Sequence, residues 1–456
     1  MVGHKKDRLG KIRTGSLERR WSLARAGFVA GTRMVARSAG AMLTGQNQAQ
    51  RRDILSQEAE LLVYELGKLK GSVVKVGQMM ALYGEHFLPD EITRALHTLE
   101  NRTVAMEWSV VRGEFERQLG KRVMAELDID PEPLAAASLG QVHRASRRSD
   151  GAQLCLKLQY PGVADAIDSD INAVARMLRL SMGLKRSAGF FDWVEDVREM
   201  LHAEVDYQLE SEQTQRFYRR LKSDNRYAVP RVYPQFSGKT ILATRYEPGL
   251  NVADESIASL DQSRRNELGR MFLDLFFREV FEWGEMQTDP NFGNYLIRPR
   301  PRRGVSDKIV LLDFAAVRKF PNSFLESLKQ MIRGAYRQDM ESVRQGALGL
   351  NFIREDDPEE AQLSFVRICS SVIEPLIATP ATVPAGMFNR DGQYKWGASD
   401  LPERVAKEAG RAVLDKNFRL PAREFMFLNR KLIGVYTFIA LLGAEFNGAD
   451  IIEKYI

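Results

Sequence analysis

Between residues 123 and 160 the hydrophobic period changes from that of a helix to that of a strand, and afterwards it changes back. In LCLKLQY, Leu154, Leu156 and Leu158 alternate with Cys155 and Lys157, the period of two expected of a half-buried strand. Ser149-Asp150-Gly151 supplies a turn before it, and LAAASLGQVHRASR reads as the partner strand, so the stretch predicts a hairpin. VPRVYPQF and KTILATRYEPG predict further strands with Ser237-Gly238 as their turn, and NYLI and KIVLLDF predict a short pair flanking RPRPRRGVSD. Elsewhere helices dominate. Leu61, Leu62, Tyr64, Leu66 and Leu69 lead into Val73, Val74, Val76 and Met79 at helical spacing. Gly84 and Pro89 interrupt that pattern, and Asp90 caps EITRALHTLE. Residues 162–220, and most of the chain after 262, return to helix. The order is a helical prefix, a small sheet and a large helical portion, an α+β arrangement with no internal repeat.

At 456 residues the chain is long for one core and predicts two or three packed units. Its 2 cysteines, Cys155 and Cys369, exclude a disulfide framework and fit a reducing compartment. The 5 histidines are scattered, with no zinc spacing. The net charge of +6 is unevenly placed: residues 1–50 hold ten Lys/Arg against Asp7 and Glu18, a net +8, which leaves about −2 for the rest. Basicity confined to an arm argues against a nucleic-acid-binding body. Trp21, Leu23, Phe28, Val29, Met34, Val35 and Met42 lie among those arginines, so a helix there would suit an anionic membrane surface. A floppy arm, an arm packed on its own body and a transit peptide fit the same composition. The longest apolar run, Leu432–Ala444, is too short to span a bilayer and predicts a buried helix. With no secretory signal and no spanning segment, the expectation is a cytoplasmic protein that touches membranes at most peripherally.

Three elements carry chemistry when read together. Lys157 is the one cation in an apolar strand, where it can be held over a phosphate. Asp289-Pro-Asn-Phe-Gly-Asn294 sets an aspartate and an asparagine five positions apart. Phosphoryl transfer needs a carboxylate for the attacking hydroxyl and an oxygen ligand for magnesium, and D-x-x-x-x-N supplies both. Asp313 ends the apolar run IVLLDFAA, a place for a second metal ligand. Glu210, in REMLHAEVDYQLESEQTQRF, is the candidate partner of Lys157. Strand lysine, helix glutamate, D-x-x-x-x-N and strand-Asp-Phe follow the protein-kinase order.

Lys75-Val-Gly-Gln78, Ala135-Ala-Ala-Ser138 with Leu139-Gly-Gln-Val-His143, Tyr160-Pro-Gly162 and Glu204-Val-Asp206 add to that order. On these segments the chain resembles the ABC1/UbiB/ADCK family of atypical kinases over nearly its whole length. The resemblance implies a two-lobed protein-kinase-like fold with a small β-containing N-lobe, a large helical C-lobe and a helical N-terminal extension crossing the cleft. It divides the chain into a basic arm (1–50), a KxGQ extension (51–120), an N-lobe with a helical insertion (121–249) and a C-lobe (250–456). It implies ATP or ADP with Mg²⁺ as cofactors, and an isoprenoid-lipid or quinone pathway at a membrane surface. By the same resemblance Lys157 contacts the nucleotide phosphates beside Ala135, Ala136, Ala137 and Ser138, and Glu210 pairs with Lys157. Asp289 is the catalytic-loop aspartate, Asn294 and Asp313 bind metal, and Tyr246 and Glu247 form the hinge beside the adenine. Lys75 and Gln78 face inward with Glu204 or Asp206 as their buried partners, which would keep protein substrates out.

Alanine disfavours positive φ, so Ala135–Gly140 should be stiffer than the glycine-rich loop of ordinary kinases. Read as one helix, REMLHAEVDYQLESEQTQRF sets Glu204 about 120° from Glu210, which assigns Glu210 to Lys157 and Glu204 to Lys75. The family usually reads HADPHPGN where this chain has Gln287-Thr-Asp-Pro-Asn-Phe-Gly-Asn294, and Ala315 stands where a kinase has glycine. These departures bear on turnover more than on nucleotide binding, and they motivate a second reading as a non-catalytic nucleotide-binding regulator or scaffold. A third reading, an aminoglycoside-type phosphotransferase, lacks any counterpart of Lys75-Val-Gly-Gln78. Ser237-Gly-Lys-Thr240 is not a P-loop, since Tyr233 occupies the position of its first glycine.

Overall fold

The computed structural model describes residues 72–83, 105–181 apart from 138, 188–300, 305–377 and 423–456, with short stretches between 383 and 405. The basic arm, the helical pattern of 51–70, the segment EITRALHTLE, Ser138 and residues 301–304 lie outside the described residues. The chain divides into two units, one of residues 1–212 with 231–246, the other of residues 213–230 with 247–456.

The first unit holds helices α1 (Ser72–Tyr83) and α2 (Trp108–Met124), strands β1 (Leu127–Ala136), β2 (Gly140–Arg147) and β3 (Gln153–Gln159), and helices α3 (Val163–Ser181) and α4 (Ala188–Val205). Helix α5 (Tyr207–Leu221) begins there, and β5 (Ile241–Arg245) completes an antiparallel sheet in the order β1-β2-β3-β5. The alternation in β3 does its expected work: Leu154, Leu156 and Leu158 are buried, while Cys155 and Lys157 on the other face are partly exposed. Val73, Val76 and Met80 form the buried stripe of α1, which lies against α3 and α4.

Two expectations need correction here. The single strand expected over LAAASLGQVHRASR is split: Leu134–Ala136 end β1, LDIDPEPLAA, which pairs as an edge with β2 beginning at Gly140, with shifts in register on either side of Pro133. Strand β1 is mostly exposed and carries two prolines, so it lacks the apolar alternation that marks a half-buried strand. VPRVYPQF makes only a bridge between Val232 and Thr244, then a 3₁₀ turn at Pro234–Phe236. Pro230 and Pro234 have no N–H to give to a ladder.

In the second unit the chain forms β4 (Tyr227–Ala228), helix α6 (Gln262–Phe277), β6 (Glu285–Gln287), β7 (Tyr295–Arg298), β8 (Lys308–Leu311) and β9 (Val317–Lys319). Helices α7 (Asn322–Arg337), α8 (Met340–Gly349), α9 (Glu359–Val372) and α10 (Arg423–Leu441) follow. Helix α6 starts where the Asp261 carboxylate accepts the Arg264 N–H, and from Met271 to Phe277 every residue is buried. Buried on all sides and apolar but for Asp274, which pairs with Arg226, this half of the helix lies inside a core. A π-helical turn, Arg278–Glu282, continues it. NYLI and KIVLL pair as β7 and β8, with β4 added in parallel, and β6 pairs with β9. Helix α10 packs on α6, with the rings of Phe272 and Phe438 4.3 Å apart. It takes up most of the longest apolar run. Among the described residues no helix is long and apolar enough to cross a membrane.

Candidate active site

Lys157 stands on β3, an interior strand paired with β2 through Val142 and with β5 through Leu242, so its backbone is held on both sides. Its Nζ lies 2.8 Å from Oε1 and 2.8 Å from Oε2 of Glu210. Glu210 is 2% exposed, and a carboxylate so deeply buried needs a partner of opposite charge. The ammonium also sits 5.1 Å from the centre of the Tyr207 ring. Lys75, on the partly exposed side of α1, reaches Glu204 Oε1 at 2.5 Å. Gln78 lies three residues further along α1, and its side chain is outside the described residues.

The route to these two pairings differs from the helical-angle argument. REMLHAEVDYQLESEQTQRF is two helices, because the chain leaves helical geometry at Asp206. The Asp206 carboxylate accepts the N–H groups of Gln208 (3.1 Å) and Leu209 (2.9 Å) and so starts α5. Asp206 is exposed and acts as this cap, while Glu204 closes α4 and Glu210 opens α5.

Ala135 and Ala136 end β1 opposite Val142 and Gln141, and the Ala137 N–H donates to the Gly140 carbonyl at 2.8 Å. The alanine-rich loop is therefore the tip of the β1–β2 hairpin. A Cβ on Gly140 would stand 2.4 Å from the Leu158 carbonyl oxygen, so its glycine serves close packing against β3. Tyr246 is the last residue of the first unit, and its N–H donates to the Gln153 carbonyl at 3.0 Å. The guanidinium of Arg144 lies 4.3 Å from the centre of the Tyr246 ring. Glu247 opens the second unit and pairs with Arg298 at 2.5 Å.

The second unit carries Asp289, Asn294 and Asp313. Asp289 Oδ2 accepts the Asn294 amide N–H at 2.8 Å, and Oδ1 accepts the Asn291 backbone N–H at 3.2 Å. Asn291 caps the short turn Phe292–Asn294 by accepting the Gly293 N–H. The Asn294 carbonyl accepts the Leu312 N–H at 2.8 Å, which ties this loop to the one that ends in Asp313. Asp313 has φ +52°, in the left-handed region, and its carboxylate accepts the Ala315 N–H at 3.1 Å. Phe314 is buried against Phe217, with ring centres 4.7 Å apart.

Sequence reasoning missed the residues beneath these loops. Gln287 donates to the Asp313 carbonyl at 3.3 Å, and the Tyr295 hydroxyl, with one proton to give, lies within hydrogen-bond reach of both the Asp289 carbonyl at 3.0 Å and Gln287 Oε1. Lys431 of α10, 2% exposed, donates to Gln287 Oε1 at 3.0 Å and to the Tyr295 hydroxyl. Arg430 brings a guanidinium nitrogen within 3.8 Å of Asp289 Oδ1. Burial pushes the Lys431 ammonium below its ordinary pKa, against the raising influence of Glu279 and Asp289. It pushes the buried Glu279 carboxyl up to about 7, with Lys431 opposing, and raises the Tyr295 hydroxyl well above its usual value. One signal for Lys431 was in the sequence: it precedes Val435 and Phe438 by four and seven residues, a cation on an apolar helical stripe.

The donor set suits magnesium. Asn294 commits its amide nitrogen to Asp289, which leaves the amide oxygen as an acceptor, and Asp313 adds a carboxylate. One or two protein oxygens completed by phosphate and water are an ordinary Mg²⁺ site. No group of three or more His, Cys, Asp or Glu residues arranged for a metal occurs among the described residues.

Residues 98–347 match the ABC1 atypical kinase-like domain. The chain is 28% identical to "Atypical kinase COQ8, mitochondrial" of Schizosaccharomyces pombe over 390 residues, which is 85% of this chain and 61% of that protein. It is 28% identical to "Atypical kinase COQ8B, mitochondrial" of Rattus norvegicus over 397 residues, 87% of this chain and 71% of that protein. Among solved structures, the complex of Rv3197 with erythromycin from Mycobacterium tuberculosis resembles it with a TM-score of 0.59 at 22% identity, covering 90% of this chain and 98% of that one. At that identity the likeness is one of fold.

Proposed function

The chain belongs to the ABC1 atypical kinase-like family and has a kinase-like α+β fold, and from this and the geometry above we propose that it binds ATP or ADP with Mg²⁺ and transfers or hydrolyses the terminal phosphoryl group. The observation that carries the reading is the Lys157–Glu210 pair, with both carboxylate oxygens 2.8 Å from one ammonium on an interior strand. Such a pair fixes a lysine for phosphate oxygens. Asp289 would orient or deprotonate the attacking hydroxyl, held for that task by Asn294 and by the Asn291 N–H. Asn294 and Asp313 would hold the metal, which when bound neutralises charge on the phosphates. The segment Ala135–Ser138 would lie by the phosphates and Tyr246–Glu247 by the adenine. Lys75, Gln78, Glu204 and Asp206 would form a regulatory element, with the Lys75–Glu204 pair as its core.

Relatives named atypical kinase COQ8, and the family's association with quinone and isoprenoid-lipid metabolism, point to that pathway at a membrane surface. The arm of residues 1–50 would meet anionic or isoprenoid lipids. A scaffold reading is favoured by one observation: Gln287, where the family has histidine, spends both ends of its amide on structural bonds. The test is thermal stabilisation by ATP and ADP, with and without Mg²⁺, followed by phosphate release with and without anionic vesicles. Nucleotide at 100 times its Kd should stabilise by about 2.7 kcal/mol, and Asp313→Asn should abolish the Mg²⁺ dependence. Stabilisation without phosphate release selects the scaffold. No stabilisation by either nucleotide refutes both.

A further inference from the structure

Helix α10 lies beyond residue 347, where the match to the family domain ends, yet its contacts run straight to the loops that carry Asp289 and Asp313. We propose that Lys431 is a positioning residue for those two loops: its ammonium fixes Gln287 and Tyr295, and these hold the backbone carbonyls of Asp313 and Asp289. The proposal rests on the kinase reading for the roles of the aspartates and on geometry alone for the positioning.

The bonds form two chains from one atom. Lys431 Nζ donates to Gln287 Oε1 at 3.0 Å, and Gln287 Nε2 donates to the Asp313 carbonyl at 3.3 Å. Nζ also donates to the Tyr295 hydroxyl, whose one proton is shared between the Asp289 carbonyl at 3.0 Å and Gln287 Oε1, so the two chains are cross-linked. The helix is seated on the same loop by shape. A Cβ on Gly434 would stand 2.4 Å from Pro290 Cβ, and Phe438 meets Phe292 edge-on at 5.9 Å between ring centres. Methionine or leucine would fill much of this space without the cost of desolvating an ammonium. A buried charge in that place is accounted for by what it holds. The ring of Tyr295, 4.3 Å from Nζ, and the carboxylates of Glu279 and Asp289 offset its charge.

The experiment compares Lys431→Met, Tyr295→Phe and the double variant with wild type in the full chain, by ATP hydrolysis kinetics and by amide hydrogen exchange. Each single variant should lower kcat about 10- to 100-fold, since small displacements of reacting groups cost that much, and leave nucleotide KM within about twofold. The double variant should be no worse than the poorer single one, because both substitutions cut the same support. Exchange should speed up in the segment 286–296 and at Leu312 and stay unchanged in Gln262–Phe277. Unchanged kcat, additive losses, or exchange that rises evenly across the second unit would overturn the proposal. If wild type does not hydrolyse ATP, whether or not it binds it, the kinase reading fails, and exchange alone decides the positioning: local loosening in Lys431→Met upholds it, and no local change refutes it.

Discussion

Glu279 offers a test of the buried network that needs no ligand. Its carboxyl is raised from 4.5 to about 7, first by burial and against the pull of Lys431. Between those two values the folded chain holds a proton that the unfolded chain has released. The stability tied to this group is therefore fully present below 4.5, falls as pH rises, and is gone above about 7. The span corresponds to about 3 kcal/mol. For a unit of this size that is a fall in Tm of roughly 6–12 °C, at 2–4 °C per kcal/mol. Glutamine has nearly the same shape and does not titrate, so Glu279→Gln should flatten the curve. The assay is thermal unfolding from pH 4.5 to 8 at fixed ionic strength, read as wild type minus variant, which cancels every other titrating group. Lys431→Met should extend the decline to higher pH, because the nearby cation that favours the carboxylate is gone. Parallel curves for wild type and Glu279→Gln would show that burial of this carboxyl does not govern the pH response.

Two further substitutions probe the first unit. Lys157→Met leaves the Glu210 carboxylate buried without this ammonium and should destabilise by roughly 3 kcal/mol, seen as a lower urea midpoint. A midpoint equal to wild type would mean that the pair contributes nothing to folding. Gly140→Ala drives a methyl group against the Leu158 carbonyl and should cost about 1–3 kcal/mol while loosening the alanine-rich hairpin. Unchanged stability would show that β2 and β3 can separate there at no cost.

The α+β plan was readable because strand and helix leave different periods, and Leu154, Leu156 and Leu158 are buried as their alternation requires. Lys157 stood out for the same reason, as a cation in an apolar strand. The pairing of glutamates with lysines was reached through a helix that does not exist as one piece. Asp206 can be an interior helical residue or a cap, and nothing local in the sequence decides between them. Strand β1 was hidden by its exposed edge position, where solvent, not burial, sets the composition. Lys431 was harder still. Its partners Gln287 and Tyr295 lie 144 and 136 residues away, and local pattern carries no record of contacts at that separation. The stripe on α10 showed only that the lysine would be buried, not what it would hold.

The backbone at Asp313 bears on how this position should be mutated. With φ at +52° it occupies a conformation that aspartate and asparagine tolerate and that other side chains resist by about 1–2 kcal/mol. An alanine scan there would make two changes at once, taking away a carboxylate and asking the chain to keep a disfavoured torsion. Asparagine retains the torsional allowance and most of the volume, removes the negative charge and turns one acceptor oxygen into an NH2 donor. The residue is thus fixed twice, once by the bond its carboxylate accepts from the Ala315 N–H and once by the turn its backbone has to make.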